Sequence, residues 1–510
     1  MSLRPALVLL LAVALLTVVD VSAQTKDDTL VYALQSDVQT WDPPNSVLRE
    51  SIILGYHVFD HLAARDLKTG KVGPSLAVSW RNVDDMTWEV KLRPNVKFHD
   101  GTSFSAKDVK ATFERVLDPN LKLTYRATHA KIKSIEIVDD LTVRFKTDGP
   151  YPLFVERLTA QVMQSEKLIR EKGHEWLQEN PVGTGPYKLV RWIRKQEHLL
   201  VRNDDYWGPK PAFKYVRVRI IPEQATQIAE LISGGVDVIK AVPPDQMDVI
   251  NKSGVARTST SPILRTGFIQ LDQAGRSGKN SFQDRRVRLA ANLAVDVDSI
   301  IKHVINGLGD RTATLINPMA FGFDPSIKPY KQDLVQAKKL LAEAGYPNGF
   351  EAGFMRTQPI VEPGLVQTSD AIVADLARVG IRTKARMVGE VGPFTNLVRD
   401  GKADPMFEWS WGYASVFDAD AILYDVMTCN QPYSYYCNTA LDDLVIQSRS
   451  TLDTKKRTEL YSRAQRLIHE DAAYLYKWGL RGVWGISNRI EYEAPRDEID
   501  RMFVVTARRK

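Results

Sequence analysis

Hydrophobic and polar residues alternate in the segment 88–119, and the period of the alternation changes part-way along it. Residues 88–98 favour an extended strand, because apolar side chains occupy alternate positions there, with a break at the Pro-Asn pair. The Asp-Gly pair at 100–101 predicts a tight turn. Beyond it, Ser105 and Asp108 have the spacing of a capping box, and the apolar residues that follow share one helical face. The segment therefore predicts a strand, a turn and a capped amphipathic helix.

Strand-type and helix-type patterns then alternate through the rest of the chain. Alternating apolar positions predict strands at 30–34, 87–90, 134–145, 187–191, 216–220, 236–239 and 381–386. Apolar residues at helical spacing predict helices at 51–62, 225–232, 334–344, 371–379 and 454–472. Because the two kinds of element alternate, the pattern predicts α/β organisation.

The first 23 residues have the pattern of a secretory signal peptide. Arg4 supplies an early positive charge, an apolar run spans residues 6–19, and small residues stand at 21–23 where a signal peptidase would cut. The apolar run is too short to cross a bilayer. No cysteine that could carry a lipid lies near the cleavage point. We therefore expect cleavage there and a mature protein that is free in a bacterial periplasm.

The composition is that of an ordinary globular protein. Removing 23 residues from 510 leaves 487, enough for two or three domains. The hydrophobic content is 44% and the charged content 25%. The net charge of +6 is spread along the chain, as where Arg285, Arg286 and Arg288 lie beside Asp284. Because the sequence shows no localised basic and aromatic patch, we expect no nucleic-acid partner.

The two cysteines, Cys429 and Cys437, lie close together in the sequence. In an oxidising compartment such a pair most simply forms one disulfide that closes a short loop. A metal site would need more ligands at set spacing. His57 and His61 are four residues apart, but two histidines without a third ligand favour an ordinary helix surface. We therefore predict a disulfide and no metal.

Signatures of enzymes are not found in the sequence. The glycine-containing segment 182–187 superficially suggests a phosphate-binding loop, but Lys188 is not followed by Ser or Thr and no helix is predicted there. The chain has no G-x-S-x-G, H-E-x-x-H or nucleotide-binding motif. We therefore predict no catalytic residues and no cofactor. A secreted hydrolase with a dispersed catalytic triad is the alternative of a different class.

Aromatic residues stand at alternate positions in the segment 407–423, which reads FEWSWGYASVFDADAIL. If that segment is extended, Trp409, Trp411 and Tyr413 share one side of the strand. Such a row suits the wall of an apolar ligand cleft, and it also suits a core strand.

Six segments, taken together and in this order, resemble the signatures of one protein family. They are the segment 88–119 and the stretches VGTGPYKL, VRNDDYWGPKPAFKYVRVRIIPE, AELISGGVDVI, SFQDRRVRLAANLAVDVDSIIKHVINGLG and DLVQAKKLLAEAGYPNGF. They resemble the family 5 extracellular solute-binding proteins, the peptide- and nickel-binding receptors of ABC importers. The resemblance extends from about residue 30 to about residue 503.

The resemblance implies an α/β fold of the cluster C periplasmic binding protein type, with two lobes, three domains and a ligand cleft between the lobes. The implied division gives lobe 1 (domain I) residues 24–60, 182–265 and 480–510, an inserted domain II residues 61–181, and lobe 2 (domain III) residues 266–479. We expect a hinge near Arg265 and Gly479, since ligand clefts commonly lie between domains.

We expect the ligand to be held at three places. They are the loop after the first strand (Gln35, Ser36, Asp37), the strand that opens lobe 2 (Thr266, Phe268), and the aromatic segment (Trp409, Trp411, Tyr413, Ser415). In the peptide receptors an aspartate after that last strand pairs with the ligand's α-ammonium group. Ser415 stands at the matching position, or Ala414 if one residue is inserted. Because an unpaired buried ammonium is costly, either Asp418 or another acid replaces that aspartate or the ligand has no such amine.

The function implied by the resemblance is that of a monomeric receptor. It would bind peptides or peptide-like solutes and deliver them to an ABC permease made of two transmembrane proteins with two ATP-binding subunits. ATP hydrolysis by those subunits would supply the energy, so the receptor itself would catalyse nothing. Within the same class, the alternative ligands are a nickel chelate, an opine or a sugar derivative.

Overall fold

The computed structural model describes residues 25–508 except 47, 67–68, 358–361, 363, 390 and 414–415. The predicted signal peptide at residues 1–23 and the predicted ligand contact Ser415 therefore lie outside the described residues.

The described elements alternate between strands and helices. The strands are β1 Thr29–Leu34, β2 Ala63–Arg65, β3 Val72–Pro74, β4 Ala77–Asp84, β5 Thr87–Leu92, β6 Ile132–Asp139, β7 Thr142–Thr147, β8 Tyr187–Ile193, β9 Glu197–Arg202, β10 Tyr215–Ile220, β11 Val238–Lys240, β12 Ala256–Leu271, β13 Gly309–Arg311, β14 Phe350–Thr357, β15 Ile381–Val388, β16 Met406–Gly412, β17 Tyr474–Ser487, β18 Ile490–Glu491 and β19 Thr506–Ala507. The α-helices are α1 Arg49–Val58, α2 Ala106–Leu117, α3 Phe154–Arg157, α4 Glu166–Leu177, α5 Gln224–Ser233, α6 Met247–Lys252, α7 Arg285–Ala294, α8 Val297–His303, α9 Leu334–Glu343, α10 Leu365–Arg378, α11 Val391–Arg399, α12 Asp420–Ile422, α13 Thr439–Arg449 and α14 Thr454–Glu470. Short 3-10 helices lie at Pro43–Asn45, Thr124–His129, Pro244–Gln246, Ser281–Gln283 and Met502–Val504, and a π-helical turn lies at Leu423–Met427.

A large mixed sheet joins strands from both predicted lobes. Within the described residues it has eleven strands in the order β15-β14-β16-β12-β17-β11-β1-β10-β9-β8, with β13 paired to β17. β1 pairs with β10 in parallel register, from Thr29 opposite Tyr215 to Leu34 opposite Ile220. The predicted division of the chain requires these two segments to share a domain, and this pairing is consistent with it. The domain boundaries themselves stay a prediction.

A smaller antiparallel sheet, in the order β4-β5-β7-β6, forms within residues 77–147. Helix α2 packs on it through buried apolar residues such as Val109 and Phe113. The predicted capping box is confirmed: the Ser105 hydroxyl accepts from the Lys107 N–H at 3.3 Å, and the Asp108 carboxylate accepts from the Ser105 N–H at 2.8 Å. The strand, turn and capped helix predicted from this segment are therefore present.

A buried ion pair ties the predicted insert to the first segment of lobe 1. The Arg115 guanidinium donates to both carboxylate oxygens of Asp42 at 2.9 and 2.6 Å, and both side chains are almost wholly buried. The Gln164 amide also donates to Asp42, at 3.0 Å. Because either charge would be costly to bury alone, the pair fixes how α2 sits against residues 42–45.

None of the helices in the part of the chain described above is both long and apolar enough to cross a membrane.

Three buried histidines make the stability of the fold sensitive to acid. Burial lowers the pKa of His57 to about 4, and the pKa values of His61 and His129 to about 3. An unfolded chain would protonate each ring near pH 6.5. Above pH 6.5 each buried histidine leaves the free energy of unfolding unchanged. Below pH 6.5 each one lowers that free energy by about 1.4 kcal/mol per pH unit, until the pH reaches the pKa of the histidine in the folded protein.

We expect the melting temperature to fall as the pH is lowered from 7 to 5, and His129→Leu to reduce that fall. His129 suits the test because its ring is fully buried and lies edge-on to Phe113, with centroids 5.2 Å apart; the nearby Arg157 charge lowers its pKa further. Melting curves of both proteins at half-unit pH steps measure the effect. Identical pH dependence in the two proteins would contradict the proposed cause.

Candidate functional site

Two long strands, β12 and β17, cross the predicted hinge together. They pair antiparallel from Ala256 opposite Ser487 to Gln270 opposite Tyr474, with a register shift between Pro262 and Thr266. β16 lies on the other side of β12 and pairs with it from residue 265 to residue 271. The predicted ligand contacts of lobe 2 lie on or next to these strands.

The strand pairing brings the predicted contacts of lobe 2 together. Thr266 lies directly opposite Trp411, and Phe268 opposite Trp409. Because alternate residues of paired strands share a face, these four side chains lie on one side of the sheet. The sequence prediction that the two segments meet is therefore consistent with the register.

An aromatic triad is formed by Trp409, Trp411 and Tyr433. The ring centroids of the two tryptophans are 5.6 Å apart, and Tyr433 lies 5.6 Å from Trp409 and 5.8 Å from Trp411. All three side chains are only partly buried. Rings at this spacing gain from edge-to-face contact and leave apolar surface available to a ligand.

Tyr433 is the member of the triad that sequence reasoning missed. It lies in the loop closed by the disulfide between Cys429 and Cys437, which the structure confirms. The loop folds back towards β16, and Tyr433 thereby reaches Trp409 and Trp411. The predicted disulfide loop, rich in tyrosine, was the signal that could have pointed to it.

The two tryptophans differ in their surroundings. Trp409 also contacts Phe394 and Phe407, at centroid distances of 6.0 and 5.9 Å, so part of it belongs to the core. The Trp411 indole N–H instead donates to the carbonyl of Ala421 at 2.6 Å. Trp411 therefore holds the segment that follows β16 against the end of that strand.

Phe268 and Tyr413 pack into the core. Phe268 is 0% exposed and lies edge-on to Tyr474 with centroids 5.5 Å apart. Tyr413 is 1% exposed, and its hydroxyl donates to the Leu315 carbonyl and accepts from the Asn317 N–H, both at 2.8 Å. Thr266 is likewise buried. Their predicted role as ligand contacts stays a prediction, while the contacts described here are structural.

The loop after β1 makes its hydrogen bonds inside the predicted lobe 1. The Asp37 carboxylate accepts from the Lys195 N–H at 2.7 Å and from the Trp192 indole at 3.2 Å, and it lies 2.7 Å from His198 Nε2. Burial opposes ionisation, but these hydrogen bonds outweigh it and lower the pKa of Asp37.

Neither of the other two residues of this loop forms part of the triad. The Gln35 amide donates to the Gln224 side chain at 2.7 Å, and Ser36 is exposed. Ligand contact by this loop also stays a prediction.

Asp418 has partners of its own. Its carboxylate accepts from both terminal nitrogens of Arg457 at 2.7 and 2.8 Å and from the Tyr461 hydroxyl at 2.8 Å. The neighbouring Asp420 pairs with Arg449 at 3.2 Å. Both carboxylates are buried beside arginine. Both oxygens of Asp418 accept hydrogen bonds, whereas the Oδ1 atom of Asp420 has no hydrogen-bond partner among the described residues.

The segment after β16 also contacts the predicted insert. The Arg65 guanidinium lies 4.1 Å from the centre of the Phe417 ring, and the Glu156 carboxylate accepts from the Phe417 N–H at 3.2 Å. Residues 416–425 therefore connect the aromatic triad with the insert.

The histidine pair considered as a metal clip serves the core instead. His57 Nδ1 lies 2.8 Å from the Ile53 carbonyl, its Nε2 accepts from the Met502 N–H at 2.9 Å, and His61 stacks on Tyr56. Among the described residues, no group of three or more metal-ligating side chains is assembled.

Comparisons with known proteins agree with the fold. The family model described as bacterial extracellular solute-binding proteins, family 5 Middle, matches residues 71–434. A heme-binding protein A of Haemophilus influenzae is 29% identical over 460 residues, which cover 82% of this chain and 81% of the relative. A probable D,D-dipeptide-binding periplasmic protein of Escherichia coli is 28% identical over 495 residues, covering 93% and 92% respectively.

The solved structures extend this agreement to three dimensions. A periplasmic binding protein of Helicobacter pylori, associated with an ABC transporter and solved with the peptide STSA, is 29% identical to this chain. It superposes with a TM-score of 0.81 over 94% of this chain and 98% of its own. The α/β fold class expected from the sequence is confirmed.

We expect Trp411→Ala to weaken binding of the native solute about thirtyfold, since losing one large apolar contact costs about 2 kcal/mol. Trp409→Ala should lower the melting temperature more than Trp411→Ala does, because Trp409 also packs against Phe394 and Phe407. Tryptophan fluorescence titration beside melting curves separates the two effects. If both variants melt early and bind normally, the triad is only part of the core.

Removing the disulfide with Cys429→Ser and Cys437→Ser should lower stability by about 2–3 kcal/mol, the chain-entropy value for so short a loop. Binding should weaken as well, because Tyr433 is no longer held against the tryptophans. Melting and titration with and without a reductant measure both effects, and the double-serine protein is the control that a reductant must leave unchanged. Unaltered affinity in the double variant would remove Tyr433 from the site.

Proposed function

The chain belongs to the family 5 bacterial extracellular solute-binding proteins, and we propose that it carries a peptide-like solute through the periplasm to its ABC permease. Solute-binding components of ABC importers make up this family, and relatives named for dipeptides, heme and glutathione align with this chain over most of its length. The periplasmic location rests on the signal-peptide pattern of residues 1–23 and on the relatives' names.

The observation that carries the proposal is the partly exposed aromatic triad beside the strands that cross the predicted hinge. Trp409, Trp411 and Tyr433 offer apolar surface that accepts varied side chains, as a peptide or peptide-like ligand requires. The predicted two-lobed architecture would enclose such a ligand by moving one lobe about β12 and β17.

The receptor acts, in this proposal, by binding alone and as a monomer. Its partners are a permease of two transmembrane proteins and two ATP-binding subunits, which provide the energy of import. Receptors of this kind contribute affinity and capture, while the release step belongs to the docked complex. The chain's own chemistry is therefore recognition of a solute rather than its conversion.

Native mass spectrometry of the protein purified from periplasm tests the proposal. We expect one small solute to accompany the wild-type protein and to be largely lost from Trp411→Ala, with a surface variant such as Val335→Ala as the matched control, since Val335 is 82% exposed. A protein that chemically converts the recovered solute, or one that retains it equally in Trp411→Ala, would contradict the proposal.

A further inference from the structure

The side chain of Arg276 binds the backbone of the disulfide loop, residues 429–437, which carries Tyr433. Its terminal nitrogen Nη1 reaches three backbone carbonyls, those of Gln431 at 3.4 Å, Pro432 at 2.8 Å and Ser434 at 2.9 Å. These carbonyls lie on both sides of Tyr433 in the sequence. The guanidinium therefore restrains the chain immediately before and immediately after the tyrosine.

The same guanidinium joins the loop to helix α11. Its other terminal nitrogen, Nη2, donates at 2.8 Å to the carbonyl of Arg399, the last residue of that helix. The last carbonyls of a helix have no partner within the helix and attract positive charge. The guanidinium also lies 4.7 Å from the centre of the Tyr435 ring, and the Tyr435 hydroxyl donates to the carbonyl of Val398 at 3.0 Å. Loop and helix are thus bound together at Arg276.

Arg276 is itself held by a turn that is built around Asp272. The Asp272 side chain is buried, and its carboxylate accepts from the N–H groups of Arg276 and Ser277 at 3.0 and 2.7 Å. It also accepts from the Ser277 hydroxyl at 2.5 Å and from the Asn280 side-chain amide at 3.2 Å. A buried carboxylate with several donors keeps its surroundings in one arrangement. The backbone from which the Arg276 side chain extends is therefore fixed.

The acceptors of the Arg276 guanidinium, in the described part of the chain, are neutral backbone carbonyls. A guanidinium is planar and presents its N–H groups in a fixed fork, so carbonyls can satisfy it only in a particular arrangement. This interaction therefore specifies the conformation of the loop. A mere balance of charge would not do so.

The disulfide and Arg276 restrain different parts of the loop. The disulfide joins the two ends, whose Cα atoms are 4.4 Å apart. It leaves the conformation of the residues between them open. The ring of Tyr433 contacts Trp409 and Trp411 at interplanar angles of 83° and 55°, and ring contacts of this kind are individually weak. The position of the ring therefore depends on the backbone that Arg276 holds.

We propose that Arg276 is the positioning residue of the aromatic triad, holding Tyr433 against Trp409 and Trp411 before a solute binds. This inference rests on the proposed function and names a residue that sets the affinity of the receptor. Arg276 acts through Tyr433 and does not touch the solute. Because a surface that is formed in advance needs no ordering at the moment of binding, the gain appears as tighter binding of the solute's apolar part.

A double-mutant cycle between Arg276 and Tyr433 tests the proposal. The probe is the solute released from the purified wild-type protein and titrated back onto solute-free, full-length mature protein. Arg276→Gln and Tyr433→Ala should each weaken binding about tenfold, and Arg276→Gln should change the affinity of Tyr433→Ala less than about twofold. Arg276→Lys should give an intermediate loss, because an ammonium lacks the fork of donors. Equal losses from Arg276→Gln in both backgrounds would overturn the proposal.

Hydrogen exchange measures the position of the loop without any solute. In Arg276→Gln we expect amide exchange in residues 430–436 to rise about tenfold, while exchange in residues 406–412 of β16 changes little, because only the loop loses a restraint. Unchanged exchange in the loop would contradict the positioning role. A rise of similar size in both segments would also contradict it, since Arg276 would then support the fold as a whole.

The matched control is Arg286→Gln. The Arg286 side chain is exposed, and its Nη1 donates at 2.6 Å to the carbonyl of Glu343, the last residue of helix α9. This variant removes an arginine from the end of a different helix and should leave solute affinity and loop exchange unchanged. A wild-type protein without a co-purifying solute would contradict the proposed function and this inference together, whereas equal losses in the cycle would refute the positioning role alone.

Discussion

The antiparallel ladder between β12 and β17 is the interaction on which the rest of the structure depends. These strands run through both predicted lobes, so one sheet continues from β15 at one edge to β8 at the other. The register shift falls between Pro262 and Thr266, where proline has no N–H to donate to the ladder. A second shift follows between Gly267 and Phe268, so the ladder is irregular throughout this stretch and the sheet can bend there.

The two-residue period of β16 gives one strand two chemical roles. Trp409 and Trp411 point to the face that carries the aromatic triad, whereas Ser410 points to the face that carries Arg265. An apolar surface and a charged one thus lie a single residue apart. A slip of one residue in the pairing of β16 with β12 would exchange them, so the register protects the site as well as the core.

Sequence patterns identified the elements whose two faces differ. The capped helix α2 and the strand β10 were predicted almost to the residue, because each has one buried and one polar face. β17 was not predicted, since nearly all of its residues are buried and its alternation is therefore hidden. β12 was expected only around Thr266 and Phe268, as the strand that opens lobe 2; its first half is polar, and its residues from 266 onwards are all buried, so neither part shows a clear alternation.

Only part of the candidate site could be predicted, because its residues differ in how far apart they lie along the chain. The tryptophans at 409 and 411 stand close in sequence, so their shared face follows from strand geometry alone. Arg65 and Phe417 are more than 300 residues apart, and only the tertiary fold brings them together. Tyr433 is an intermediate case. The two cysteines predict the disulfide loop that contains it, and that loop places it in the triad.

The free edge of the large sheet has a consequence for solubility. β15 forms that edge, and Arg382, Lys384 and Arg386 stand along it on the exposed face. An unpaired strand offers its backbone to any passing chain, and charged side chains along the strand oppose such pairing, because a second strand would have to desolvate them. The charged edge therefore disfavours edge-to-edge aggregation between two copies of this chain.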